Sequence, residues 1–139
     1  MTEATDSNTP AHAIKALYRA LRVPNVRAVK SYVAQDLANL RRAFPLDNEF
    51  AGAVLAVAKE LLFALRAPAV HGTPITYALD GWRRSRFASG RSPVSDLRLI
   101  FRKRAYDSGI EVLAFGHREI PDTVYHTATQ RNTGPRPKN

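Results

Sequence analysis

The chain has 139 residues and a mass of 15.4 kDa, enough to bury one core and too few for two ordinary ones, so a single domain is expected. It contains no cysteine, which excludes a disulfide scaffold and thiol chemistry and is compatible with a reducing cytoplasm. The formal charge of +9 suits a polyanionic partner, and it is concentrated: residues 82 to 104 hold eight Lys/Arg against one Asp/Glu, while residues 1 to 81 hold nine against seven and residues 105 to 139 four against four.

The opening MTEATDSNTP is polar and acidic where a secretory signal is basic and then apolar, so a cytoplasmic location is expected. It reads as a disordered lead. Ile14, Leu17, Tyr18 and Leu21 then recur at helical spacing until Pro24, which predicts a short N-terminal helix. Val26 and Ala28 suggest a brief strand. Val33, Leu37, Leu40 and Phe44 fall on one helical face that Pro45 ends, and Asp47, Asn48 and Glu49 open a second helix that runs to about Arg66. The longest apolar stretch, Ala51 to Leu65, is broken by Lys59 and Glu60 and falls short of a membrane span.

From Ile75 the period changes to two, with candidate strands at 75 to 79, 82 to 88, 96 to 103 and 109 to 116. Asp80-Gly81, Ser89-Gly90 and Asp107-Ser108-Gly109 supply hairpin turn chemistry between them. The pattern predicts an α+β fold, with two helices packed on a twisted antiparallel sheet of about four strands and an extra N-terminal helix. Residues 123 to 131 are too short to assign, and 132 to 139 read as a flexible tail.

Strand alternation places Leu97, Leu99 and Phe101 on one side and Arg98, Ile100 and Arg102 on the other. Arg84 and Arg86 alternate with Ser85 and Phe87, adding a second row of cations, and the same basic block contains Arg83, Arg91 and Lys103. Two readings stand beside each other: a phosphate-binding face, or an exposed edge whose arginines reach water. Gly116-His117-Arg118 follows the last strand; His117 is either an acid or base or a residue that orients the loop. His12, His71 and His126 have no metal-ligand spacing, so no metal and no cofactor are expected. Trp82 is read as core or sheet cover.

The order of WRRSR, SDLRLIF, IEVLAFGHR and VYHTATQR resembles the C-terminal half of RelE/ParE toxins, VRAVKSYVAQDLANLRRAF resembles their opening strand and first helix, and Leu46 to Arg66 their second helix. The resemblance covers roughly residues 25 to 131 as the toxin domain and leaves 1 to 24 as an N-terminal extension. It implies a type II toxin acting as a ribosome-dependent mRNA endoribonuclease, partnered by a cognate antitoxin, the ribosome and mRNA, with no membrane. It also implies that Arg98 and Arg118 stabilise the scissile phosphate, that Tyr125 assists proton transfer or stacks on a base, and that Arg83, Arg84, Arg86, Arg91, Arg102 and Lys103 contact RNA. Two alternatives remain: a ParE-like inhibitor of DNA gyrase and a noncatalytic nucleic-acid-binding module. The interval between Arg118 and Tyr125 is longer than in compact members of the family, and Leu97 stands where RNA-cutting members often carry an aromatic residue.

Overall fold

A computed structural model describes residues 9–90 and 94–134. The first helix, α1 (Pro10–Leu21), begins where the sequence allows it: the Thr9 hydroxyl accepts from the His12 amide at 3.2 Å, and Pro10 occupies the first turn, where its missing N–H costs nothing. A three-residue strand, β1 (Val26–Ala28), leads directly into α2 (Lys30–Ala43), which stops before Pro45. Asp47 and Glu49 lie in the first turn of α3 (Asp47–Arg66), beside the amides that its N-terminus leaves unpaired.

Four more strands follow: β2 (Thr73–Pro74), β3 (Arg83–Phe87), β4 (Leu97–Lys103) and β5 (Ile110–His117). The last element is α4 (Val124–Thr133), so the segment left unassigned from sequence is a helix; the Thr123 hydroxyl caps it by accepting from the Tyr125 amide. The sheet order is β1-β5-β4-β3-β2. The α+β class holds, with five strands in a mixed sheet. All neighbours are antiparallel except β1, which pairs parallel with β5 through Val26–Ile110, Arg27–Glu111 and Ala28–Val112. The chain leaves β1 straight into a helix with no hairpin to reverse it, so β1 meets a partner only much later in the chain, in the parallel sense.

The expected strand at 75 to 79 does not form. Tyr77 has φ 63° and is almost fully exposed, and residues Tyr77–Leu79 make a 3-10 turn that delivers Leu79 to the sheet beside Trp82. Strand pairing in this region is confined to Thr73 and Pro74.

The sheet is covered on both sides. On one, α1, α2 and α3 bury Leu17, Leu40, Leu61 and Phe44 against Leu97, Leu99, Phe101 and Phe115. Each such aliphatic side chain contributes about 1.5–3 kcal/mol when taken from water. The N-terminal helix belongs to this core: Ala13, Leu17 and Ala20 are buried, and α1 lies along α3. On the other side α4 and the 79–82 segment cover a smaller cluster of Leu79, Trp82, Ile100, Leu113, Ala114, Val124 and Ala128. Trp82 is 1% exposed and donates from Nε1 to Asn132 on α4 at 3.0 Å, as its reading as sheet cover requires.

One buried ion pair joins the layers. Register slips between Ile100 and Phe101, so Leu113 has no cross-strand partner, and its carbonyl accepts from Arg131 Nη1 at 2.8 Å. Arg131 on α4 also binds both carboxylate oxygens of Asp36 on α2, at 2.9 and 2.8 Å, and stacks over Tyr32. Because β1 ends at Ala28, the β5 edge beyond it is open, and Asp36 Oδ2 accepts the Phe115 amide there at 3.1 Å. The helix thus closes an edge that the short strand leaves uncovered. Burial pushes the Asp36 carboxyl up to about 6, against the opposing pull of the Arg131 guanidinium. No described helix is long and apolar enough to cross a membrane.

Candidate nucleic-acid interface

The register of β3 and β4 decides which arginines meet. Arg86 lies directly opposite Arg98, and Arg84 opposite Ile100, whereas Ser85 and Phe87 lie opposite Leu99 and Leu97. Cross-strand partners share a face, so Arg84, Arg86 and Arg98 line the α4 side while Leu97 and Leu99 fill the three-helix core. Arg98's other neighbour is Gly116, which contributes no side chain.

Tyr125, in the first turn of α4, comes to this group. Arg84 Nη1 donates toward its hydroxyl at a long 3.5 Å, and the guanidinium lies 5.9 Å from its ring centre. The lengthened loop before it is held in place by His117, whose Nδ1 accepts the amides of Glu119 and Ile120 at 2.9 and 3.0 Å. His117 itself sits opposite Leu97 with its ring 5.9 Å from Phe44, on the helix side of the sheet and away from Arg98.

The three cations differ in availability. Arg86 is exposed, Arg84 is half-buried, and Arg98 is only 8% exposed. Arg98 Nη1 donates to the carbonyls of Ser95 and Leu97 at 2.7 and 2.9 Å, and its Nε is buried without a partner. Among the described residues no carboxylate lies within ion-pair distance of Arg84, Arg86 or Arg98. Like charges paired across strands on a rigid sheet repel, and an anion relieves that cost.

The other candidates lie elsewhere or are engaged by the protein itself. Arg118 follows β5, keeps its amide in the ladder by donating to the Asp96 backbone carbonyl at 2.9 Å, and extends an exposed side chain whose Nε is 4.0 Å from Glu119. Arg83 points to the helix side and donates to the carbonyls of His71 and Gly72 at 2.8 and 3.0 Å. That approach requires glycine: Gly72 has φ +71°, and a Cβ there would stand 2.1 Å from the Arg84 carbonyl oxygen. Arg102 is paired with Glu111 at 2.9 Å and covers the Trp82 ring at 4.1 Å. Lys103 donates to the Arg104 and Asp107 carbonyls, about 16 Å along β4 from Arg98 by strand rise. Arg91 lies outside the described residues.

The sequence reading missed Asp36 and Arg131, which fix α4 and therefore Tyr125. They stand 95 residues apart, and each alone looks like an ordinary solvated helix charge. Among the described residues no three His, Asp or Glu side chains gather as a metal site would require.

No protein-family model matches the chain, and no curated protein sequence matches it. Among solved structures, it is similar to an arginine-to-alanine double mutant of the E. coli toxin RelE in the free state, with 16% identity over 76% of this chain and 94% of that one and a TM-score of 0.49. A likeness at that level carries no residue roles across.

Proposed function

We propose that this chain is a toxin of the RelE/ParE kind that holds messenger RNA against the α4 side of its sheet and cuts it on the ribosome, restrained by an antitoxin that covers the same face. The observation that carries this reading is the Arg86–Arg98 pair, flanked by Arg84 and Tyr125: three cations on rigid strands with no carboxylate among the described residues to neutralise them. The sequence resemblance of the segments that supply them supports it independently.

Cleavage of RNA by its own ribose 2′-hydroxyl breaks the phosphorus–5′-oxygen bond and leaves a cyclic phosphate. The 2′ proton must leave, negative charge on the non-bridging oxygens must be stabilised, and the departing oxygen must gain a proton. Arg84 and Arg86 present guanidinium forks that meet phosphate oxygens two at a time. Arg98 adds fixed positive charge from behind them. The Tyr125 hydroxyl, beside Arg84, is the proton-transfer group, and Arg118 extends the cationic path toward the end of β5.

A second reading, binding without cleavage, draws on a specific observation: Arg98 is engaged by the backbone carbonyls of Ser95 and Leu97, and His117 is turned to Phe44. Mapping transcript 5′ ends after brief induction separates the two. New ends within translated codons are expected, together with loss of growth arrest in Arg84→Ala/Arg86→Ala and cleavage slowed about 10²-fold or more in Tyr125→Phe. Intact transcripts with DNA damage would instead mark a gyrase poison, and intact transcripts without damage a passive binder.

A further inference from the structure

The second large concentration of positive charge lies at the other end of the sheet, around a cavity of about 640 Å³ between α1, β1 and the start of α2. Among the described residues four cations line it, Arg22, Arg27, Lys30 and Arg104, and no acidic residue does, although Glu111 lies opposite Arg27 across the β1–β5 pairing. Arg22, Arg27 and Lys30 are exposed; Arg104 also meets Asp107 at 3.4 Å. The cations come from three separate parts of the chain: the α1–β1 connection, the β1–α2 junction and the β4–β5 turn. The last of these is brought close by Gly109, whose hydrogen stands where a Cβ would be 2.1 Å from the Asn25 carbonyl oxygen. Ile110 donates to that same oxygen at 2.8 Å, so the turn is fastened to the β1 approach.

Between the cations the lining is apolar and aromatic, with Tyr18, Leu21, Val26 and Val33. The N-terminus of α2 opens at the same place, capped by Val29, which supplies no side-chain acceptor. Several cations around one concavity favour a concentrated anion, above all a phosphate, and the volume falls in the range of small-molecule sites. An apolar wall beside such a cluster accepts a flat organic body.

We infer that this cavity is a binding site for a nucleoside phosphate, with the phosphoryl groups on Arg22, Arg27, Lys30 and Arg104 and the base against Tyr18 and Leu21. The site is distinct from the Arg84–Arg86–Arg98 face, and it depends on the N-terminal helix, which lies outside the segment that resembles the toxin family. A ligand there joins α1 to the β4–β5 turn, so binding reports on how firmly the extension is docked.

Isothermal titration of the full chain with ATP, adenosine, inorganic phosphate and a glutamate-rich peptide tests this. ATP is expected to bind saturably at low salt and to weaken as salt rises, with adenosine and inorganic phosphate each about tenfold weaker or worse, since each lacks half of the recognised chemistry. Arg22→Ser/Arg27→Ser should weaken ATP about tenfold or more, while the charge-matched Arg42→Ser/Arg66→Ser stays within about twofold. All four positions are exposed or near it, and a thermal melt of each variant verifies folding. The inference is overturned if ATP shows no saturable binding, if both double variants weaken it equally, or if the peptide binds more tightly than ATP, which would make the cavity a docking groove for acidic chain segments.

Discussion

The two sides of the sheet are stabilised in different ways. On the helix side, Leu17, Leu40, Leu61, Phe44 and the inward residues of β4 and β5 form one large apolar cluster, with Glu60, His71 and Arg83 at its margin. On the α4 side, a smaller apolar cluster shares the surface with Arg84, Arg86, Arg98 and Arg102, and α4 is anchored by a buried ion pair. The first arrangement suits an element that must not move. The second keeps cations in place beside a helix whose attachment is polar, specific and sensitive to single changes, because removing one member of a buried pair leaves the other uncompensated.

The largest effect is therefore expected at Asp36. Asp36→Ala strips Arg131 of its carboxylate and Phe115 of its acceptor, and should cost about 3–5 kcal/mol in urea unfolding. The apolar pair Asp36→Leu/Arg131→Met should cost less than Asp36→Ala, since no charge is left uncompensated, and still about 1–3 kcal/mol for each of the Phe115 amide and Leu113 carbonyl that lose their partners. Titration gives a second handle. The folded Asp36 carboxyl is raised to about 6 from 3.8, so its contribution to stability is fully present below about 4 and is lost as pH rises through 6. The wild type should gain stability relative to the double variant between pH 7.5 and pH 5; equal slopes for the two proteins would show that the pair is not the source.

The helix side should respond to loss of volume instead. Leu61→Ala removes a fully buried side chain from the three-helix core and should cost about 2–5 kcal/mol with no change in the pH slope. A comparable loss accompanied by a changed slope would mean that the two sides are coupled through α2, which buries Val33 and Leu40 in the helix-side core and Asp36 between them at the sheet edge.

This asymmetry also marks how far the sequence could be read. Helical spacing of Leu17, Leu40 and Leu61, the prolines at 24, 45 and 68, and the period-two runs around Arg84, Arg98 and Val112 are local signals, and all of those elements form. Ile75, Tyr77 and Leu79 have the period-two spacing of a strand, but the backbone turns at Tyr77 and the strand expected at 75 to 79 does not form. The parallel pairing of β1, the register slip at Leu113 and the Asp36–Arg131 pair are nonlocal, set by which segments meet after collapse, and no spacing in the chain encodes them. At the candidate interface, alternation alone put Arg84, Arg86 and Arg98 on one side. That Arg83, Arg102 and Lys103 are engaged by carbonyls, Glu111 and Trp82 required the fold.

The smallest effect tests whether Arg102 belongs to the proposed anion-binding face or to the α4 packing. Its guanidinium lies 4.1 Å from the Trp82 ring centre and 2.9 Å from Glu111, while 41% of its side chain is exposed. Solvent screening reduces the ion pair to a few tenths of a kcal/mol, and the ring contact adds about 0.5–1 kcal/mol. Arg102→Ala should thus cost about 1 kcal/mol, and Arg102→Lys nearly as much, because an ammonium keeps the charge but loses the planar stacking. Glu111→Gln should change stability by less than about 0.5 kcal/mol. If all three leave RNA affinity within about twofold while Arg86→Ala reduces it about tenfold, the working cations are those with no carboxylate partner among the described residues. Equal losses at Arg102 and Arg86 would extend the binding face down the whole of β4 and make the Glu111 contact a competitor that RNA displaces.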